Sequence, residues 1–225
     1  MCGRYSLGNP DEQLLETLFG LGGGTDLPPR FNIAPTDPVP VVRRVREAPE
    51  NELVFVRWGL IPFWSKTLPR VPWINARVET VATKSPYKQS FAKRRCLVPA
   101  DGFYEWRTEG KRKLPIHIRF PDRRTFFMAG LWGVWTSPEG RVIESCTVLT
   151  RGASGPIASV HDRQPIVLDH ERHADWLDPR IGERAVLLEL LDDPVSDAME
   201  LQALQPLVNS VKNEGPELWT PLAET

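Results

Sequence analysis

The chain has 225 residues, of which 41 % are hydrophobic and 25 % charged, with a formal net charge of −1, as is ordinary for a soluble globular protein. Its uncharged apolar runs are too short for the roughly 20 residues that span a bilayer, and the opening MCGRYSLGNPDEQ lacks the apolar segment of a secretory signal. These features exclude a transmembrane helix and predict a cytoplasmic protein.

The first predicted element is a helix that begins near residue 9. Asn9 is predicted to cap it, Pro10 suits its first turn, and the acids at 11 and 12 favour the positive end of the helix dipole. An apolar face at helical spacing follows at Leu14, Leu15, Leu18 and Phe19, and Gly20 is a suitable end. Residues 21–24 are predicted to form a flexible turn.

From residue 37 to about 150 the pattern is mostly that of β-strands. Apolar runs bounded by turn residues predict strands at 39–45, 53–60, 95–100, 102–107, 114–120, 125–135 and 142–150. Short helices are predicted at 85–93, 171–177 and 182–191, and the 22 prolines favour short strands with many turns. We therefore expect one α+β domain over residues 1–225, with a curved or barrel-like, mainly antiparallel β core and peripheral helices.

Three cysteines at wide spacing do not suit a disulfide framework. No spacing typical of a zinc site occurs, so the sequence predicts no metal. Cys96 and Cys146 fall in strand-like apolar runs, where a free cysteine usually behaves as a small buried hydrophobe. Cys2 alone lies outside any predicted element.

Cys2 becomes the N-terminal residue when Met1 is removed, and its small side chain suits aminopeptidases that remove methionine. The mature chain would then carry an α-amine and a thiol on neighbouring carbons, both with reactive fractions near neutral pH. An aldehyde meeting this pair can form an imine with the amine, which the thiol closes into a five-membered thiazolidine. An N-terminal cysteine can also perform acyl transfer, with its own amine as the general base.

A second polar group is the stretch INARVET. Asn75, Arg77 and Glu79 would share one face if the stretch were extended. An Asn beside an Arg can hold an oxyanion, a phosphate or a ribose hydroxyl. The alternative is a polar strand edge that is paired with a neighbouring strand.

Two further candidates are an acid and an imidazole. Glu105 stands between aromatic residues, which would raise the pKa of its carboxyl group and suit it to proton transfer, unless it points outward from a half-buried strand. His161 precedes Arg163 by two residues and follows small residues, so among the histidines its surroundings best suit a functional role. The other histidines are predicted to be a strand-face residue and two solvated helical residues: His117, His170 and His173.

Charge is unevenly distributed along the chain. Residues 57–113 contain thirteen Lys or Arg against four acids, whereas residues 168–205 are rich in acids. Aromatic residues are interleaved with the basic stretch, namely Trp58, Phe63, Trp64, Trp73 and Trp106. Basic and aromatic side chains together are typical of single-stranded nucleic-acid grooves. The alternative is a solvated surface on which the charges balance in three dimensions.

Taken in order, the motifs MCGRYSL, RFNIAPT, WGLIPFWSK, INARVETV, RRCLVPADGFYEW, FMAGLWGVW, VHDRQPIVL and VNSVKNEGPE resemble those of the SOS response-associated peptidase (SRAP) family. That family forms covalent crosslinks with abasic sites in DNA, and the resemblance covers nearly the whole chain. It implies a nucleoid-associated DNA-repair protein without a cofactor, acting on single-stranded DNA as a monomer. Gln164 stands where the family usually has Met, and Tyr5 where Phe is common.

The resemblance also implies roles for individual residues. Cys2 would form the thiazolidine with the ring-opened abasic deoxyribose, and Asn75 would hold the reacting N-terminus or the opened sugar. Glu105 would transfer protons, with His161 as its acid–base partner. The remaining residues would contact DNA: Arg77, Arg163 and Arg4 on phosphates, and Trp106 and Trp64 on bases. The family name further implies a peptidase activity, and either lyase activity or reversal of the crosslink would give turnover.

Two other functions are compatible with the residues. Many N-terminal-nucleophile amidohydrolases and glutamine amidotransferases also begin with Met-Cys-Gly. An enzyme that acts on a small amide would not need the basic, aromatic stretch, however. A non-covalent single-strand binding module, in which Cys2 is incidental, is the third hypothesis.

Overall fold

The computed structural model describes residues 2–21, 27–46, 48, 50–192 and 195–223. Most of the predicted turn at 21–24 therefore lies outside the described residues. Within these ranges, no helix is long and apolar enough to cross a membrane.

The described elements are mostly short strands. The strands are β1 (Tyr5–Leu7), β2 (Arg30–Ile33), β3 (Pro38–Arg43), β4 (Glu52–Trp58), β5 (Asn75–Arg77), β6 (Arg95–Ala100), β7 (Gly102–Glu109), β8 (Arg112–Arg119), β9 (Phe126–Thr136), β10 (Val142–Gly152), β11 (Arg163–Pro165), β12 (Val167–Leu168) and β13 (Glu200–Ala203). The helices are α1 (Glu12–Phe19), α2 (Val78–Val81), α3 (Ser85–Lys93), α4 (His173–Leu177) and α5 (Arg184–Leu190). Single 3₁₀ turns occur at Gly155–Ser159, His170–Arg172, Val195–Ala198, Pro206–Asn209 and Pro216–Trp219.

The strands form two sheets. An antiparallel sheet has the order β13-β8-β7-β1-β2. In the larger sheet, β10 pairs with β9 on one side and in parallel with β4 on the other, which closes the strands β10-β4-β3-β6-β9 into a barrel. The α+β prediction with a barrel-like core is confirmed.

Helix α1 begins later than the sequence predicts. Its cap is Asp11, whose carboxylate accepts a hydrogen bond from the Leu14 amide at 2.9 Å, so the prediction that Asn9 is the cap is wrong. A carboxylate three residues before that free amide satisfies it directly and also favours the positive end of the dipole. Gly20 ends the helix as predicted, with a φ of 67°.

The core lies inside the barrel and between the sheets. Cys96 and Cys146 are both fully buried there, as predicted. His173 is also buried, stacked on Phe19 and edge-on to Phe127, so the prediction of a solvated His173 is wrong. It lies on the inner side of α4, and burial lowers its pKa to about 4, which keeps the ring neutral.

The N-terminal strand is fastened to the start of β7 by Asp101. The buried Asp101 carboxylate accepts hydrogen bonds from the Ser6 hydroxyl at 2.6 Å and from the amides of Gly8 and Asn9 at 2.6 and 2.8 Å. Beside it, β1 and β7 pair with Tyr5 opposite Phe103 and Ser6 opposite Gly102. If this register continued, Gly3 would face Glu105, which explains why the N-terminus lies near that carboxyl group.

We expect Asp101→Ala to lower the free energy of unfolding by about 2–3 kcal/mol, because the buried donors of Ser6 and Gly8 and the amide of Asn9 lose a charged acceptor. Urea unfolding followed by circular dichroism would measure the change. Asp122→Ala, at an exposed carboxylate, is the control and should stay within about 0.5 kcal/mol of the wild type. Equal stability of the two variants would contradict the anchoring role of Asp101.

Candidate active site around Cys2

Cys2 lies in the interior of the protein rather than on its surface. Its side chain is fully buried, and the Asn75 side-chain amide donates a hydrogen bond to its carbonyl oxygen at 2.8 Å. Burial, assisted by the nearby Glu105 carboxylate, raises the pKa of the Cys2 thiol well above its usual range. The thiol is therefore held in its neutral form.

Asn75 is positioned by the barrel. It begins β5, which runs parallel to β10 with Asn75 opposite Val148, and the amide of Val148 donates to the Ile74 carbonyl at 2.9 Å. While its amide nitrogen binds Cys2, the side-chain oxygen of Asn75 is buried without a hydrogen-bond partner among the described residues. A buried acceptor beside the N-terminal residue is suited to an ammonium or amine donor.

Arg77 belongs to strand β5, whereas Glu79 lies in helix α2. Arg77 ends β5 two residues after Asn75, so the two side chains share a face, and Arg77 is exposed. The chain turns into α2 at Val78, so the expectation that Glu79 continues this face is wrong. The helical turn instead directs Glu79 towards Arg163.

Glu105 lies in β7 and points inward. It is only 4 % exposed, so it is not the outward-facing carboxylate that the sequence left as an alternative. Burial raises its pKa, and the nearby His161 acts in the opposite direction. A carboxyl group with a raised pKa stays protonated to higher pH than a free glutamic acid and is suited to donate a proton.

His161 faces Glu105 from the segment before β11. Its Nε2 lies 4.0 Å from the Glu105 Oε2, and its Nδ1 accepts a hydrogen bond from the Arg163 amide at 2.9 Å. This pattern fits the neutral tautomer that carries its proton on Nε2, directed towards the carboxyl group. The Nδ1 also lies 3.0 Å from the Asp162 carboxylate.

Arg163 is 9 % exposed and is committed to protein partners. Its guanidinium forms a two-point ion pair with Glu79, with N–O distances of 2.5 and 3.0 Å, and donates to the Thr150 carbonyl at 2.7 Å. This arrangement fixes the backbone that orients His161. Contact between Arg163 and a DNA phosphate would require the Glu79 pair to open.

Arg4 and Trp106 lie on the other face of β7 from Glu105, because consecutive residues of a strand point to opposite faces. The Arg4 guanidinium lies 5.7 Å from the Trp106 ring centre and donates to Asn32 at 2.6 Å and to the Val208 carbonyl at 3.1 Å. The indole of Trp106 donates to the Asn209 side chain at 2.6 Å. Arg4 therefore joins the N-terminal segment to the C-terminal segment, and Trp106 joins β7 to it, with part of each side chain still accessible.

Trp64 is 53 % exposed on the loop between β4 and β5. Its ring meets Trp73 edge-on at 6.3 Å. Behind Trp73 lies an open cleft of about 340 Å³, here called the Trp73 cleft, which is lined by residues 72–75, Lys84, Pro86 and Tyr87. Asn75 belongs to both the Cys2 site and this cleft.

The structure thus brings Cys2, Asn75, Glu105 and His161 together, with Arg77 and Trp64 exposed around them. Sequence reasoning assigned no role to three polar residues that hold the site: Thr150, Asn32 and Asn209. Asn32 and Asn209 lie in the motifs RFNIAPT and VNSVKNEGPE, which were the available signal. Within the described residues, no group of three His, Cys, Asp or Glu is placed to hold a metal ion.

Comparison with known proteins identifies a family and several relatives that match nearly the whole chain. The family model described as SOS response associated peptidase (SRAP) matches residues 1–211. The Abasic site processing protein YoqW of Bacillus subtilis is 35 % identical over 97 % of this chain and 98 % of its own, and YedK of Escherichia coli, with the same description, is 31 % identical over 99 % and 100 %. A crystal structure of a Bacteroides thetaiotaomicron protein shares the fold, with a TM-score of 0.81 at 23 % identity over 98 % and 100 %.

Proposed function

Because the chain belongs to the SOS response-associated peptidase family, we propose that it captures abasic sites in single-stranded DNA as a covalent thiazolidine on Cys2. Relatives named abasic site processing proteins support the substrate. The observation that carries the chemistry is the Asn75 hydrogen bond to Cys2, with Glu105 and His161 beside it. The lesion would be shielded for as long as the crosslink lasts.

In the proposed reaction the deoxyribose ring of the abasic site opens to an aldehyde at C1′. The α-amine of mature Cys2 attacks this carbon, and the carbinolamine loses one water to give an imine. The thiol sulfur then adds to the imine carbon, and its proton passes to the imine nitrogen. The five-membered ring contains the sulfur, the nitrogen and three carbons, and the net change is the loss of one water molecule.

The protein would contribute placement and proton transfer. The unpartnered oxygen of Asn75 would accept a hydrogen bond from the α-amine and direct its lone pair to C1′. Glu105, whose acid form is favoured because burial raises its pKa, would donate the proton that lets water leave the carbinolamine. His161, with its Nε2 towards Glu105, would exchange that proton and assist ring opening at the sugar hydroxyl.

The DNA strand would pass over the exposed groups around this site. Arg77 is open to a flanking phosphate, and Trp64 is exposed enough to stack on a base. Arg163 would act first by orienting His161 and would reach a phosphate only by exchanging Glu79 for it. Arg4 and Trp106 would form the opposite rim, where the accessible part of the indole can meet a base.

Further activities follow from the same groups. Removal of Met1, whether by an aminopeptidase or by the protein acting as its own peptidase, would be required to free the α-amine. Reversal of the crosslink would break the carbon–sulfur bond as the sulfur gains a proton, for which Glu105 is positioned, and water would then hydrolyse the imine to the aldehyde and the free amine. Either this reversal or a lyase activity would give the protein turnover. The protein would act in the cytoplasm, on the nucleoid.

The test is a denaturing gel of the mature protein with a single-stranded oligonucleotide containing a natural abasic site. We expect a heat-stable shifted band, whose mass equals that of protein plus DNA minus one water. A tetrahydrofuran abasic analogue, which cannot open to an aldehyde, should give no band.

The matched control is the same protein with one extra residue before Cys2, which removes the free α-amine from that carbon. It should also give no band. If freshly matured protein forms no band with the natural site, covalent capture is wrong, and glutamine hydrolysis would be measured next.

A further inference from the structure

The Trp73 cleft lies next to the Cys2 site and has no role in the reaction proposed above. Its volume of about 340 Å³ falls within the range of about 300–1,000 Å³ that is usual for small-molecule pockets. Asn75 separates it from Cys2, because the Asn75 amide binds the Cys2 carbonyl while the same residue lines the cleft. A strand held at Cys2 would therefore bring its next nucleotide to the cleft.

The walls of the cleft are aromatic and rigid. The rings of Trp73 and Tyr87 are 5.9 Å apart and inclined at 54°, and the Tyr87 hydroxyl donates to the Asn75 carbonyl at 3.4 Å. The connecting residue, Ile74, accepts hydrogen bonds at its carbonyl from the Trp58 indole at 3.1 Å and from the Val148 amide at 2.9 Å. The cleft is thus preformed and needs little ordering to receive a flat ring.

The rim of the cleft is positively charged. Lys84 lines it and is exposed, Lys88 lies one helical turn further along α3, and Arg77 is exposed two residues beyond Asn75. Cations around an aromatic cleft fit a ligand that has a flat, uncharged ring attached to a phosphodiester chain.

We propose that the Trp73 cleft binds the base of a nucleotide adjacent to the abasic site, turned out of its stack. This inference rests on the proposed function and specifies its substrate as an abasic site with an intact neighbouring base. Stacking tolerates any of the four bases, so the cleft selects for a base without selecting its identity. It fixes the strand so that C1′ reaches the Cys2 amine.

The experiment measures second-order crosslinking rates at protein concentrations below saturation. Three single-stranded oligonucleotides are compared: one with normal bases beside the abasic site, and two in which the neighbour on the 5′ or the 3′ side is a tetrahydrofuran spacer. For the wild type, we expect removal of one of the two neighbouring bases to slow crosslinking about tenfold, the scale of one base–aromatic stack.

Trp73→Leu keeps an apolar side chain but removes the aromatic face, so it should crosslink the normal and baseless-neighbour oligonucleotides at similar rates. Phe55→Ala, which removes an exposed aromatic ring on β4 outside the cleft, is the matched control and should retain the wild-type difference between the oligonucleotides. Thermal melting would confirm that each variant is folded.

Equal rates for all three oligonucleotides with the wild type would overturn the proposal, as would an undiminished base dependence in Trp73→Leu. If no oligonucleotide crosslinks at all, the proposed function fails instead. The base site is then tested separately, by measuring equilibrium binding of the same oligonucleotides to Cys2→Ala by fluorescence anisotropy. The affinities for the oligonucleotides with and without the neighbouring base are compared, as the rates were.

Discussion

Cys2→Ala is expected to form no heat-stable product with abasic DNA, whereas the wild type should convert the lesion stoichiometrically. Alanine is small enough to allow removal of Met1, so the variant keeps its α-amine and can still form an imine. Without sulfur the imine cannot close into a thiazolidine, and water hydrolyses it on heating. Denaturing electrophoresis with and without borohydride separates the two states, because reduction converts the imine into a permanent bond.

The expected pattern for Cys2→Ala is a band only after reduction. A Cys96→Ala protein is the matched control: Cys96 is fully buried beneath β9, so its removal should leave the heat-stable band unchanged. A heat-stable product from unreduced Cys2→Ala would show that another nucleophile captures the aldehyde, and the thiazolidine mechanism would be wrong.

Glu105→Gln is expected to slow crosslink formation by about 10²–10⁴-fold, the usual contribution of a positioned general acid. Glutamine keeps the size and the hydrogen-bonding geometry but cannot give up a proton. Because burial raises the pKa of Glu105, its acid form persists to higher pH than in free glutamic acid, and the rate should fall as the pH rises through that raised pKa. Single-turnover rates across a pH series would measure both effects.

In the Glu105→Gln protein the loss of rate that follows deprotonation of Glu105 should disappear, while the rise in rate from deprotonation of the α-amine should remain. Glu109→Gln is the matched control, since it changes an exposed glutamate on the same strand and should leave the profile unchanged. A wild-type pH profile in Glu105→Gln would refute proton donation by Glu105, whatever the size of the rate change.

The long strands could be predicted from the sequence because their apolar pattern is strong, and α3 was predicted as a short helix between them. The predicted strand at 95–100 and the helix at 85–93 have the observed bounds, and the other long strands differ by a few residues at their ends. Strands β1, β2, β5, β11, β12 and β13 were not predicted. They have four residues or fewer and exist because a neighbouring strand offers hydrogen bonds, which no local periodicity records.

The candidate chemical residues were named from the sequence, but the residues that hold them in place were not. Glu105 was singled out for its aromatic neighbours, and its burial and raised pKa agree with that reasoning. The pairing of Glu79 with Arg163 joins residues 84 positions apart, and that of Arg4 with Val208 joins residues 204 apart. Such contacts depend on how the barrel closes, which a single sequence does not specify.

The hydrogen bond between Arg4 and the Val208 carbonyl joins residues that are synthesised far apart in time. Cys2 is synthesised before Asn75, Glu105 and His161. At about 5–20 residues per second, roughly ten to thirty seconds pass between the addition of Cys2 and that of His161. During that interval Cys2 lacks the residues proposed as its amide anchor and proton donor. The proposed capture of an aldehyde therefore requires the nearly complete chain, and until then Cys2 has only the slow chemistry of an ordinary cysteine.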